Sequence, residues 1–178
     1  MARAAVFTIS DSRSAGIAAD ESGPVAVELL AQMGIETVHR AIVPDERTAI
    51  AQTLHAWINR VELIVTAGGT GIAPRDVTPE AVAAIIEKPL PGFGEAMRLR
   101  VFDAMPLSIV SRGGAGIAGG TLIVYLPGSP SAVRDGLQVI GPALRHVVKK
   151  LSRPGDDCAP DRAAAARRTG QAAEPNSS

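Results

Sequence analysis

The chain has 178 residues, 46% of them hydrophobic and 20% charged. That length and balance suit one globular domain with its own core and exclude a disordered chain. Lys plus Arg is 18 and Asp plus Glu is 18, so the formal net charge is zero. A neutral chain with 3% aromatic residues argues against a nucleic-acid partner, which needs a basic stripe or a stacking platform.

The chain carries one cysteine, Cys158, which excludes a disulfide framework or a Cys-rich zinc site within it. His39, His55 and His146 show no metal-ligand spacing. The apolar run near the N-terminus is too short for a signal-peptide core, and no stretch approaches the ~18 apolar residues of a membrane span. We therefore expect a cytoplasmic protein with no membrane partner.

Ala4 to Ile9 reads as a buried strand, and Ser10 to Asp20 as a loop. Ser22 is placed to cap a helix with Pro24 in its first turn, and Val25, Leu29 and Met33 share one face. Ile35 to Val43 reads as a second strand ended by Pro44. Asp45 opens a helix with Ile50, Leu54, Trp57 and Ile58 inward, and Leu63 to Thr66 is a third strand. Thr78 to Glu80 starts another helix, Lys88 to Gly92 breaks it, and a further helix runs from about Phe93 to Ala104. Leu107 to Val110 reads as strand, Ser111 to Gly120 as a Gly-rich turn or hairpin, and Leu122 to Leu126 as strand. The last helix begins at Ser129-Pro130, turns Val133, Leu137, Ile140 and Leu144 inward, and fades near Leu151. Alternating strands and helices imply an α/β fold with a largely parallel sheet. Residues 1–151 form the expected domain, and 152–178, rich in Pro, Gly, Ala and charge, the expected disordered tail.

Open parallel sheets bind ligands at the carboxyl ends of their strands, and the unusual residues fall in those loops. Gly68, Gly69, Thr70 and Gly71 can turn backbone N–H groups toward an anion. No Gly-Lys-Ser/Thr follows, so this is not a Walker A loop, and the dinucleotide fingerprint that a nicotinamide oxidoreductase would need is broken by Pro74. Asp45 and Asp76 read either as helix caps or as two carboxylates facing one cleft, where they would hold Mg²⁺ against a triphosphate. Gly128 and Ser129 open a helix, where a second phosphate would suit the free N–H groups. Ser111 and Arg112 put a hydroxyl and a cation on a loop, with a solvated hairpin as the plain alternative. Arg98, Arg100 and Arg112 read as solvated or interfacial, and Trp57 as core.

Several stretches occur together and in a fixed order: Thr8 to Ser12, Ile42 to Glu46, Thr66 to Ala81, Pro91 to Glu95, Ser111-Arg112 and Leu126 to Pro130. In them the chain resembles the MoaB/Mog family of molybdenum-cofactor biosynthesis over about residues 4–151. The resemblance implies a three-layer α/β/α domain that binds molybdopterin and assembles as a homotrimer or homohexamer. It implies an adenylyltransferase that uses Mg²⁺ and ATP to attach AMP to the terminal phosphate of molybdopterin, releasing pyrophosphate. The molybdate-insertion protein would be a partner. The family's essential acids match Asp45 and Asp76, and its phosphate loop matches Gly68 to Gly71. Ser10, Asp11, Glu95, Ser111, Gly128 and Ser129 match further cleft positions. A paralogue that only carries molybdopterin is the alternative within the same fold.

Overall fold

The structure is a computed structural model that describes residues 1–152. The expected tail therefore lies outside the described residues, apart from Ser152. In chain order the elements are β1 (Ala2–Ile9), α1 (Asp11–Ser14), α2 (Ser22–Gln32), β2 (Ile35–Val43), α3 (Arg47–Trp57) and β3 (Leu63–Ala67). There follow α4 (Thr78–Ala83), β4 (Lys88–Pro89), α5 (Pro91–Phe102), a 3₁₀ turn (Pro106–Val110), β5 (Gly114–Ala118), β6 (Thr121–Leu126) and α6 (Pro130–Ser152).

The strands make one sheet in the order β2-β1-β3-β6-β5-β4. β2, β1, β3 and β6 run parallel, while β5 and β4 extend the sheet antiparallel. Both faces are covered, so the central strands are apolar throughout instead of alternating. One face carries Ala4, Val6, Leu63, Val65, Leu122 and Val124 against α2 and α6. On the other, Ala5, Phe7, Ile64 and Ile123 meet Ile50 and Leu54 of α3 and Ala81 and Val82 of α4. The fold is the expected three-layer α/β sandwich with a mixed sheet.

The chain leaves β1 through α2 on one face and leaves β2 through α3 on the other, and β3 then pairs with the far side of β1. The loops after β1 and β3 therefore diverge, which opens a crevice at their carboxyl ends.

Three local expectations are corrected. Leu107 to Val110 forms a 3₁₀ turn instead of a strand. Pro106 opens that turn, and the β6 edge that a strand would need is already taken by β5. Within the glycine-rich Ser111 to Gly120 segment, Gly114–Ala118 is a true strand, closed onto β6 by a turn with Gly119 at φ 55°. The break at Lys88 to Gly92 contains a two-residue edge strand, after which Pro91 starts α5 two residues earlier than expected.

In α6, Val133, Leu137, Ile140, Leu144 and Val148 form one buried stripe. Leu137 has no exposed surface. Leu137→Ala should cost about 2–5 kcal/mol, read as a lowered midpoint in urea with an unchanged slope.

Candidate functional site

The crevice holds a cavity of about 460 Å³ lined by Ile9, Arg13, Asp45, Gly68, Gly69, Thr70, Gly71, Asp76, Ser111, Pro127, Gly128 and Ser129. The segments after β1, β2, β3 and β6, with Ser111 just before β5, thus supply one site.

Two glycines make this convergence sterically feasible. Gly68 sits at φ 121°, and a Cβ there would overlap the Ile9 carbonyl at the end of β1. Gly69 sits at φ 62°, where a Cβ would overlap Thr78 Oγ1 and lie 3.1 Å from Asp45 Oδ1. Thr78 fixes the loop from behind: its Oγ1 donates to the Gly68 carbonyl at 2.9 Å and its N–H to the Gly69 carbonyl at 3.0 Å. The Gly68 N–H donates to the Leu126 carbonyl at 2.9 Å. Among the described residues, the N–H groups of Gly69, Thr70 and Gly71 have no hydrogen-bond acceptor. They are donors in waiting beside the cavity, as an anion nest requires.

The two acids are not helix caps. Glu46 is the N-cap of α3 and Val77 that of α4, neither with a side-chain cap bond. Asp45 Oδ2 instead accepts from the Asp11 N–H at 2.8 Å, and the Asp45 N–H donates to Asp11 Oδ1 at 2.9 Å. Asp76 Oδ2 accepts from the Ala73 N–H at 2.8 Å. Neither Oδ1 accepts a hydrogen bond from a described residue. Burial pushes the Asp45 carboxyl up from its ordinary value, and the charges of Asp11 and Asp76 add to the rise. Each carboxylate keeps one oxygen toward the cavity, and Asp45 and Asp76 fit a small hard cation that takes one or two carboxylates and completes its shell with phosphate and water.

Ser22 does not cap α2; its Oγ donates to the Gly128 carbonyl at 2.6 Å, while Asp20 accepts from the Gly23 N–H at 2.9 Å. The loop after β6 is thereby tied to the start of α2. Ser129 caps α6 through the Ala132 N–H at 3.2 Å.

Nine of the twelve expected site residues line the cavity, and three do not. Ser10 is buried and caps α1, accepting from the Arg13 N–H at 3.4 Å. Asp11 is held by Arg75, which donates to both of its carboxylate oxygens from 2.7 to 3.0 Å. That hydrogen-bonded guanidinium keeps the Asp11 carboxyl below its ordinary value. Glu95 lies exposed on α5, away from the cavity lining. Arg13 lines the cavity although the sequence points to its neighbours and not to Arg13 itself; its signal is a cation in the loop after β1. Trp57 is half-buried, stacked on His39 with ring centroids 4.5 Å apart.

A second cavity of about 510 Å³ adjoins the first, sharing Ser111, Pro127 and Ser129, and is walled by Met97, Val101, Met105 and Leu107. A polar, amide-lined recess therefore opens beside an apolar one. Taken together, the doubly wound sheet, the glycine nest and the paired carboxylates give the crevice donors and acceptors of the kind that a phosphorylated ligand with its cation would need.

The comparisons with known proteins agree. Residues 5–146 match the family described as a probable molybdopterin binding domain. A molybdopterin adenylyltransferase of Helicobacter pylori strain J99 is 40% identical over 147 residues, 80% of this chain and 84% of that one. The molybdenum cofactor synthesis protein cinnamon of Drosophila melanogaster is 44% identical over 155 residues, 85% of this chain. The match spans only 25% of the Drosophila protein's length. A crystal structure of the molybdopterin biosynthesis enzyme MoaB from Thermus thermophilus superposes with a TM-score of 0.81 at 39% identity, covering 85% of this chain and 97% of that one. The chain belongs to the molybdopterin-binding domain family that includes MoaB and Mog.

Gly68→Ala should force the β1 and β3 ends apart and cost about 2 kcal/mol or more, measured by thermal unfolding. Asp11 and Asp45 should also titrate apart in a carboxyl NMR titration, Asp11 below and Asp45 above the ordinary aspartate value. A depressed folded pKa means that Asp11 contributes stability above its unfolded value, and this is lost as pH falls through the folded one. A raised folded pKa gives Asp45 the opposite sign: its contribution is lost as pH rises through the folded value. Arg75→Ala should bring the Asp11 midpoint back up.

Proposed function

We propose that the protein is a molybdopterin adenylyltransferase that transfers AMP from Mg-ATP to the terminal phosphate of molybdopterin in molybdenum-cofactor biosynthesis. The observation that carries this reading is the pairing, in one cavity, of unpaired loop amides at Gly69, Thr70 and Gly71 with the carboxylates of Asp45 and Asp76. The Helicobacter relative's name and its coverage support the same reaction.

In that reaction an oxygen of the molybdopterin phosphate forms a bond to the α-phosphorus of ATP, and the bond from that phosphorus to the bridging oxygen breaks as pyrophosphate leaves. The attacking phosphate is largely ionised near neutral pH, so the residues need not supply a strong base. Their work is to align two anions and to offset their repulsion. Gly69, Thr70 and Gly71 donate backbone hydrogen bonds to phosphate oxygens, and Gly128 and Ser129 present the amino end of α6 to a second phosphate. Asp45 and Asp76 would hold Mg²⁺, which when bound neutralises phosphate charge. The apolar recess behind Ser111 suits a flat ring system.

Assembly as a homotrimer or homohexamer belongs to the same proposal, supported by the exposed Leu99, Phe102, Met105, Leu107 and Ile109 on α5, the 3₁₀ turn and the connection between them. So do a cytoplasmic location and handover to a molybdate-insertion protein. No helix among the described residues is long and apolar enough to cross a membrane.

The test is turnover. Purified protein with Mg-ATP and freshly released molybdopterin should yield adenylated pterin and pyrophosphate by chromatography. Asp76→Asn and Asp45→Ala, with folding checked by circular dichroism, should each lower the rate by about a hundredfold or more. Pterin binding without product in all three proteins would leave a carrier in place of an enzyme.

A further inference from the structure

The sequence reads Arg112 as solvated or interfacial. In the fold it reaches back across the site and grips the glycine loop at several points. Its backbone N–H donates to the Thr70 carbonyl at 2.9 Å. Its Nε donates to the Gly71 carbonyl at 2.8 Å, and one terminal nitrogen to the Asp76 carbonyl at 2.6 Å. The other terminal nitrogen pairs with Glu80 in the first turn of α4. One residue thus spans the loop from the middle of the nest, past the second carboxylate, to the helix that follows.

We propose that Arg112, held in register by Glu80, is the positioning residue that sets the direction of the Gly71 amide in the phosphate-cradling loop and anchors the backbone at Asp76. The assignment rests on the phosphate-binding reading of that loop. In a trans peptide the carbonyl and the next N–H point in opposite directions, and the described chain has no cis bond. Holding the Thr70 and Gly71 carbonyls therefore also fixes the N–H groups of Gly71 and Ile72. Gly71, which the two planes share, has no side chain to restrict them, and Thr78 holds only the carbonyls before them, so Arg112 supplies the clamp here. The planar guanidinium suits this work, because several fixed donors address several acceptors at once, whereas an ammonium is a point charge on a flexible stem.

Glu80 supplies the opposing charge. The hydrogen-bonded guanidinium holds its carboxyl below the ordinary glutamate value, which favours the ionised pair. Arg112 itself is not among the residues that line the cavity. It acts through the loop and not by contact with phosphate.

The test uses the full chain and compares binding of inorganic pyrophosphate, Mg-ATP and adenosine by calorimetry in wild type, Arg112→Lys and Glu80→Gln, with the melting temperature of each. Positioning predicts a loss of pyrophosphate and Mg-ATP affinity of about tenfold or more in Arg112→Lys, with adenosine affinity and melting temperature held. Glu80→Gln should lose affinity in the same direction and by less. Equal pyrophosphate affinity in wild type and both variants overturns the assignment and leaves the adenylyl-transfer reading standing. Losses that fall equally on adenosine and follow the melting temperature also overturn it, since they describe a merely structural residue. Wild type that binds neither pyrophosphate nor Mg-ATP overturns the assignment and the phosphate-binding reading together.

Discussion

No side chain fits between the end of β1 and the start of the loop after β3. The Ile9 carbonyl occupies the space that a Cβ on Gly68 would take, and much of the site follows from that exclusion. Two parallel neighbours can part toward opposite faces and still touch only if their backbones meet directly. That contact keeps the crevice narrow enough for the amides and one carboxylate of the loop after β3 to share it with a carboxylate of the loop after β2. Thr78 then stitches the loop to α4 from behind, and Ser22 ties the far wall to α2.

Around this contact, polar groups are used in opposite ways. Carbonyls of the glycine loop are bonded to Thr78 and Arg112, while its amides are left for a ligand. Both carboxylates that face the cavity satisfy one oxygen internally and keep one in reserve. Asp11 shows the contrast: Arg75 covers both of its oxygens, so it serves the site by orienting Asp45 and not by meeting a ligand. A titratable site left open beside a closed one of the same chemistry is what a binding cleft needs, since each uncovered group raises the electrostatic cost of the empty state.

The first half of the fold was legible because β1 and β3 are short apolar runs buried on both faces, β2 is a run of strand-forming residues closed by Pro44, and its helices repeat at 3.6 residues. The region from Lys88 to Ala118 was not, for a physical reason. β5 consists of glycine, alanine and one isoleucine, a composition that signals a turn yet suits a strand packed tightly beneath Ile86. Leu107, Ile109 and Val110 look like core and are exposed, so their hydrophobicity points to the wrong element. The cleft was legible where backbone chemistry demands particular residues, as at Gly68 to Gly71, Asp45 and Asp76. Glu95 follows from the resemblance alone and lies outside the cavity. The partnerships of Arg112 and Arg75 cross long stretches of chain, and no local pattern of spacing can announce them.

The Arg112–Glu80 pair also has an architectural meaning. The stretch between those two residues contains the second half of α4, all of β4 and α5, and the 3₁₀ turn. It leaves the loop region at Glu80 and returns to it at Arg112, so the excursion is pinched shut at its base by opposite charges. The exposed apolar surface of α5 rides on a handle whose root is fastened to the glycine loop. Arg98 of α5 donates to the Ser111 and Gly113 carbonyls on either side of Arg112, so a neighbour docked on that surface would press on the same short stretch of chain that holds the loop.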